Sequence, residues 1–235
     1  MPEITSSMSD PTLLPVARPR SYRIIIPPTW VMIPVGDGTD KAIDTLLEER
    51  FAGLPMDSYG PRKTRVAESL RKGIASARKA HAVDVIFPVE TPWEVPLSAG
   101  IVMSQVPTNA PSEVAAKALI KHMHAARPGS TIVATRAGDA LREVVDHPDQ
   151  VADHPDQVAG AGEPAPVSGD APISAVRTLY YSWAVPERNS GTLVAVCSIS
   201  GGHNAEYAPI VEAFTELFDI MMETLAWSRV SEDAR

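Results

Sequence analysis

The chain has one cysteine, Cys197, so it can form no disulfide within itself, and its fold must rest on packing alone. Aromatic residues make up only 6%, which leaves the core to Val, Ile, Leu, Ala and Met. No run approaches the roughly 20 apolar residues that span a bilayer as a helix. The usual fingerprints of chemistry are missing too. No G-x-S-x-G nucleophile turn, phosphate-binding P-loop or dinucleotide-binding G-x-G-x-x-G occurs. Cations are in deficit, with a formal net charge of −8, which argues against a general nucleic-acid or anionic-membrane surface. It leaves room for a local basic patch.

Apolar residues in abundance, and well-spaced ones, are what the sequence does have. Leu193 to Ile199 is an apolar run that reads as a strand, broken by Gly201-Gly202. Beyond it Tyr207, Ile210, Val211, Phe214, Leu217, Phe218, Met221, Met222 and Leu225 recur at three- and four-residue steps, one face of a helix expected over Pro209 to Trp227. At ~1.5 Å per residue that helix would be about 28 Å long.

Upstream, Tyr22–Ile26 and Trp30–Val35 read as a hairpin turned by Pro27-Pro28-Thr29. A helix follows, with Asp37 or Thr39 as its cap and Ile43, Leu46, Leu47 and Phe51 inward. A loop over 54–60 leads to a second helix starting near Pro61, with Val66, Leu70, Ile74 and Ala77 inward. Strands are expected at Val83–Val89 and Leu97–Val106, the latter with a bulge or close approach at Ala99-Gly100. A third helix opens at Pro111, with Val114, Ala118, Leu119 and His122 as inward candidates. Ser130–Thr135 pairs with Ala140–Val145, and Ile173–Val185 pairs with the closing strand. Strands in adjacent pairs between helices imply an α+β fold: one mostly antiparallel sheet flanked by helices, with the long C-terminal helix packed on it. Residues 21–228 form the expected single domain, between tails at 1–20 and 229–235 and around an insert at 146–171. That insert opens on the perfect tandem repeat Asp146–Ala152 and Asp153–Ala159, a length change that a loop tolerates at low entropic cost.

Tyr22-Arg23-Ile24-Ile25-Ile26-Pro27-Pro28-Thr29-Trp30, with Tyr181, Pro186, Leu217-Phe218-Asp219 and the ending Leu225-Ala226-Trp227, resembles the PsbP-like α/β/α sandwich family and its bacterial branch. The resemblance implies that architecture and an accessory or assembly role. It carries no catalytic residue over. The first 20 residues lack a basic start followed by an apolar core, and the one cysteine stands far down the chain, so a cytoplasmic protein is expected rather than a lipid-anchored one.

Individual candidates weaken on inspection. His122 and His124 sit about 200° apart on a helix and do not share a ligand. His147 and His154 match no zinc spacing. Cys197 lies in an apolar strand, and Ser200 and His203 flank a glycine turn. No catalytic residue, metal or cofactor is expected. The most charged feature is the second helix, with Arg62, Lys63, Arg65, Arg71, Lys72, Arg78 and Lys79. The reading is a non-catalytic accessory protein that binds another protein through this helix or an open sheet face, with no nucleic-acid partner and no membrane insertion. A homo-oligomer is compatible with it. The alternatives are a small-molecule binder with a pocket between the sheet and the last helix, and a hydrolase using Ser200 or His203.

Overall fold

A computed structural model describes residues 22–90, 97–106, 113–147, 175–185, 191–201 and 205–228. The expected tails and most of the expected insert, including the second copy of the repeat, lie outside them. In chain order the elements are β1 (Tyr22–Arg23), β2 (Trp30–Pro34), α1 (Thr39–Arg50), α2 (Met56–Lys79), β3 (Ala82–Pro88), β4 (Leu97–Val106), α3 (Glu113–Ala126), β5 (Thr131–Thr135) and β6 (Gly138–Asp146). Then come β7 (Ala175–Ala184), β8 (Thr192–Gly201), α4 (Ala208–Glu223) and β9 (Ala226–Trp227). The fold is α+β. Seven strands form one antiparallel sheet in the order β2-β3-β4-β8-β7-β6-β5.

The side-chain alternation of strands divides the core in two. Leu97, Ala99, Ile101 and Met103 of β4, and Leu193, Ala195, Cys197 and Ile199 of β8, point to one face, where they meet Phe214, Phe218, Met221 and Met222 of α4. Ile33 points to the other face, against Ile43, Leu46 and Leu47 of α1 and Ala67 and Ile74 of α2. Buried Thr178 and Ser182 of β7 share that second face, and α3 packs over β6 and β7. The result is three layers, helices–sheet–helix.

The first hairpin expected from sequence does not form. β1 pairs with β9 in a separate two-stranded sheet, Tyr22 opposite Trp227, and β2 pairs with β3. Residues 24–27 instead pass the end of α4, where the Ile25 N–H donates to Thr224 Oγ1 at 2.9 Å. The same hydroxyl donates to the Met221 carbonyl in the last turn of α4, which ends at Glu223, short of the expected Trp227. The other sequence-adjacent strands do pair as hairpins. Gly100 marks neither a bulge nor a tight approach: an added Cβ would lie 3.6 Å from the Ile86 carbonyl, an ordinary contact. The register shifts fall instead on β3, at Ala82/Asp84, and on β7, at Ala175/Arg177.

Three helix details also differ. The Thr39 hydroxyl accepts from the Gly36 N–H, in the turn, and caps no helical N–H. α2 begins at Met56, so Pro61 is its sixth residue rather than its first, and Ala67 rather than Val66 is buried. Among the described side chains of α3 Ile120 is buried, while Ala118 and His122 are exposed; the side chain of Val114 lies outside them.

The outer edge of β2 is blunted. The bonds Val35 N–H to Val83 O and Val89 N–H to Thr29 O bracket the β2–β3 ladder, so Trp30, Met32 and Pro34 turn their backbone outward. Trp30 N–H is taken by the Pro27 carbonyl, and Pro34 has no N–H and gives its carbonyl to the Thr39 hydroxyl. Strand addition at this edge therefore finds few open groups.

β1 is tied to the sheet by the Tyr22 hydroxyl, which donates to Asp84 Oδ2 at 2.6 Å. Burial pushes the Asp84 carboxyl above its ordinary range, partly offset by this hydrogen bond. A carboxyl whose folded pKa is raised costs stability once ionised, so this group's contribution improves as pH falls through that pKa. We expect Asp84→Asn to be more stable than the parent at pH 7. The gain should shrink to nothing below the ordinary Asp value of about 3.9. Thermal melts of the two proteins from pH 7 to pH 3 check this, and a constant difference across the range would contradict it.

Candidate functional site

The packing of α4 leaves little space against the sheet. Phe214, Phe218, Met221, Met222 and Leu225 are all at most 3% exposed, and Trp30 meets Phe218 edge-on at 6.0 Å between ring centroids. Side chains therefore occupy the region where a ligand pocket was the alternative expectation. Cys197 is fully buried there, and burial, reinforced by the nearby Asp219 charge, pushes its thiol well above the ordinary range. That is an inert thiol.

The histidines are separate. His122 is exposed, whereas His124 Nδ1 lies 3.0 Å from Ser130 Oγ in the turn after α3. His147 Nε2 lies 3.1 Å from Thr178 Oγ1 on the sheet. His154 is outside the described residues. Among the described residues no group of three His, Cys, Asp or Glu is placed to hold a metal, and no helix is long and apolar enough to cross a membrane. Ser200 is half-buried at the end of β8, and His203 is also outside the described residues.

The seven basic residues of α2 divide into three groups. Arg65, Lys72 and Lys79 follow one another at seven-residue steps, which drift only ~20° per step around a helix. All three are exposed, on the side away from buried Ala67 and Ile74. Arg62 extends this row toward the start of the helix. Arg71 turns to α1, donating to Asp40 Oδ1 at 3.1 Å and Asp44 Oδ1 at 2.7 Å, and Arg78 lines the same end of the α1–α2 contact. Lys63 is half-buried. The Arg71 pairs staple two helices, but they are exposed and water screens them, so they contribute little. Arg62, Arg65, Lys72 and Lys79 form no ion pair with a described residue, while Arg50, Arg127, Arg142 and Arg177 each hold a carboxylate.

Beside the start of this row lies a cleft that the sequence did not disclose. The end of α1, the first half of α2 and the end of β3 enclose about 370 Å³. Leu47, Phe51, Leu70, Phe87 and Val89 line it, with Arg50 and Arg62 among its charged residues. Phe51 and Tyr59 meet edge-on at 6.4 Å across the turn between the helices. That aromatic pair bracketing a short interhelical turn was the one available signal.

The chain matches no family model, no curated protein and no solved structure. The site must therefore be judged on its own geometry. On the same side of the sheet, α1 and α2 sit over β2 and β3, and α3 over β6 and β7. Between them Val102 and Ser104 of β4 and Val194, Val196 and Ser198 of β8 are half-exposed. This is the open sheet strip named from sequence. It is narrow and uncharged, and it adjoins the more distinctive α2 surface.

Proposed function

We propose that this is a cytoplasmic, non-catalytic accessory protein of the PsbP-like kind, which works by binding another protein through α2. The observation that carries this is the outward row Arg62, Arg65, Lys72 and Lys79, free of ion pairs with described residues on a chain of net charge −8. Such a row attracts an acidic surface and speeds encounter with it. The three-layer fold supports the reading, because it is the architecture that the PsbP-like resemblance implies. The overall negative charge opposes nucleic acid as the partner.

The test is affinity capture from the native cell with the parent chain and with Lys72→Glu/Lys79→Glu. Both positions are exposed, so the double variant should fold as the parent does. A specific acidic partner should be lost from the variant, with affinity reduced at least tenfold, equivalent to about 1.4 kcal/mol. Recovery of the same partners in the same amounts by both proteins would dismiss the reading.

A further inference from the structure

Arg62 belongs to two features at once: it begins the basic row and it lines the apolar cleft. We propose that the cleft is the anchor pocket for the partner that α2 binds. The occupant is an acidic protein segment carrying one large apolar side chain, aromatic or leucine. That side chain enters the cleft over Leu47, Phe51 and Phe87, and a carboxylate next to it reaches Arg62. Further carboxylates lie along Arg65, Lys72 and Lys79. This rests on the reading of α2 as the partner-binding helix.

Four observations point to this chemistry. The cleft, at about 370 Å³, is at the small end of the range of pockets that enclose whole ligands, and it suits a side chain with part of its backbone. Its mouth carries exposed apolar surface, Leu54 at 41% and Val66 at 37%, of the kind a partner covers. Its two guanidiniums differ. Arg50 Nη1 is already held by Glu90 Oε1 at 2.5 Å, which demonstrates that a carboxylate fits beside the cleft. Arg62 has no such carboxylate among the described residues. The cations at 65, 72 and 79 repeat every ~10.5 Å along α2. Acidic side chains seven residues apart on a partner helix match that repeat.

Random 16-residue peptides displayed on phage would be selected on the full chain. The selected peptides, labelled with fluorescein, would then be titrated by anisotropy against four proteins: the parent, Val66→Glu, Arg62→Gln and Lys72→Glu/Lys79→Glu. Val66 and Arg62 are exposed, and circular dichroism would confirm that each variant folds. The expected peptides carry several acidic residues and one Trp, Phe or Leu. Replacing that residue by Ala, or using Val66→Glu, should weaken binding at least tenfold. Arg62→Gln should weaken it several-fold, and Lys72→Glu/Lys79→Glu should also flatten its salt dependence. Acidic peptides that need Lys72 and Lys79 but ignore Val66→Glu would overturn the anchor and leave the α2 reading standing. Peptides indifferent to every variant, or no selected peptides at all, would overturn the anchor. So would displacement of 1-anilinonaphthalene-8-sulfonate from the cleft by decanoate alone, which would mark it as a small-molecule site. Concentration-dependent self-association lost in Val66→Glu would assign the cleft to a second copy and overturn the proposal as well.

Discussion

Phe218→Ala lowers the free energy of unfolding by about 3–5 kcal/mol. The side chain is completely buried at the centre of α4, edge-on to Trp30 at 6.0 Å and stacked with Phe214 at 6.3 Å. Truncation removes the transfer free energy of the ring and opens a cavity that neighbours on two different layers cannot close together. The two ring contacts add about 0.5–1.5 kcal/mol each beyond area burial. Ile220→Ala, two residues further on, is the control. Ile220 is 60% exposed on the outer side of the same helix, so its loss should change stability by no more than about 0.5 kcal/mol. Urea denaturation of the three proteins reads both effects as midpoint shifts at constant m-value. A loss below about 1 kcal/mol for Phe218→Ala would mean that α4 is not packed on the sheet as described.

The strand and helix from Thr192 to Glu223 were legible because a short continuous apolar run stops before Gly201-Gly202 and an apolar period of 3.6 residues starts after it. The sequence-adjacent hairpins were legible for a similar reason, since short turn segments leave antiparallel pairing as the only option. Tyr22–Ile26 misled because a β-branched run signals extended chain without naming its partner. The partner, Ala226-Trp227, lies at the far end of the sequence. The basic helix was visible as composition, but its meaning depended on phase. Once Ala67 rather than Val66 turns inward, Arg65, Lys72 and Lys79 face outward and Arg71 faces α1. Apart from the Phe51–Tyr59 pair, the cleft had no local signature. It exists because α1, α2 and β3 converge, and it takes residues from 46 to 89 that no single period connects.

Asp219→Ala should cost about 2–4 kcal/mol, less than a fully buried pair because water reaches part of it. Asp219 joins three elements. Arg142 of β6 grips it with two bonds, Nε to Oδ1 at 2.6 Å and Nη2 to Oδ2 at 2.9 Å. The Tyr181 hydroxyl of β7 donates to the same Oδ1. Burial, then the Asp219 carboxylate, pushes the Tyr181 phenol well above its ordinary range, so it stays protonated and remains a donor. The side chains of Arg142 and Asp219 are only 21% and 33% exposed. Removing the carboxylate leaves a guanidinium and a phenol on the inner side of α4 with no equivalent acceptor, and an unpaired, partly buried charge costs more than the pair contributes. The double variant Arg142→Met/Asp219→Leu should therefore recover much of the loss, because apolar groups of similar size remove the desolvation cost on both sides. A double-mutant cycle should give a coupling of about 1–3 kcal/mol between the two positions. Glu212→Ala supplies the contrast. Arg177 would keep Asp146 at 2.6 Å, and Glu212 is largely exposed, so the loss should stay under about 1 kcal/mol. Equal losses for Asp219→Ala and Glu212→Ala would show that the bidentate pair is screened like a surface one, and that apolar packing alone holds α4 to the sheet.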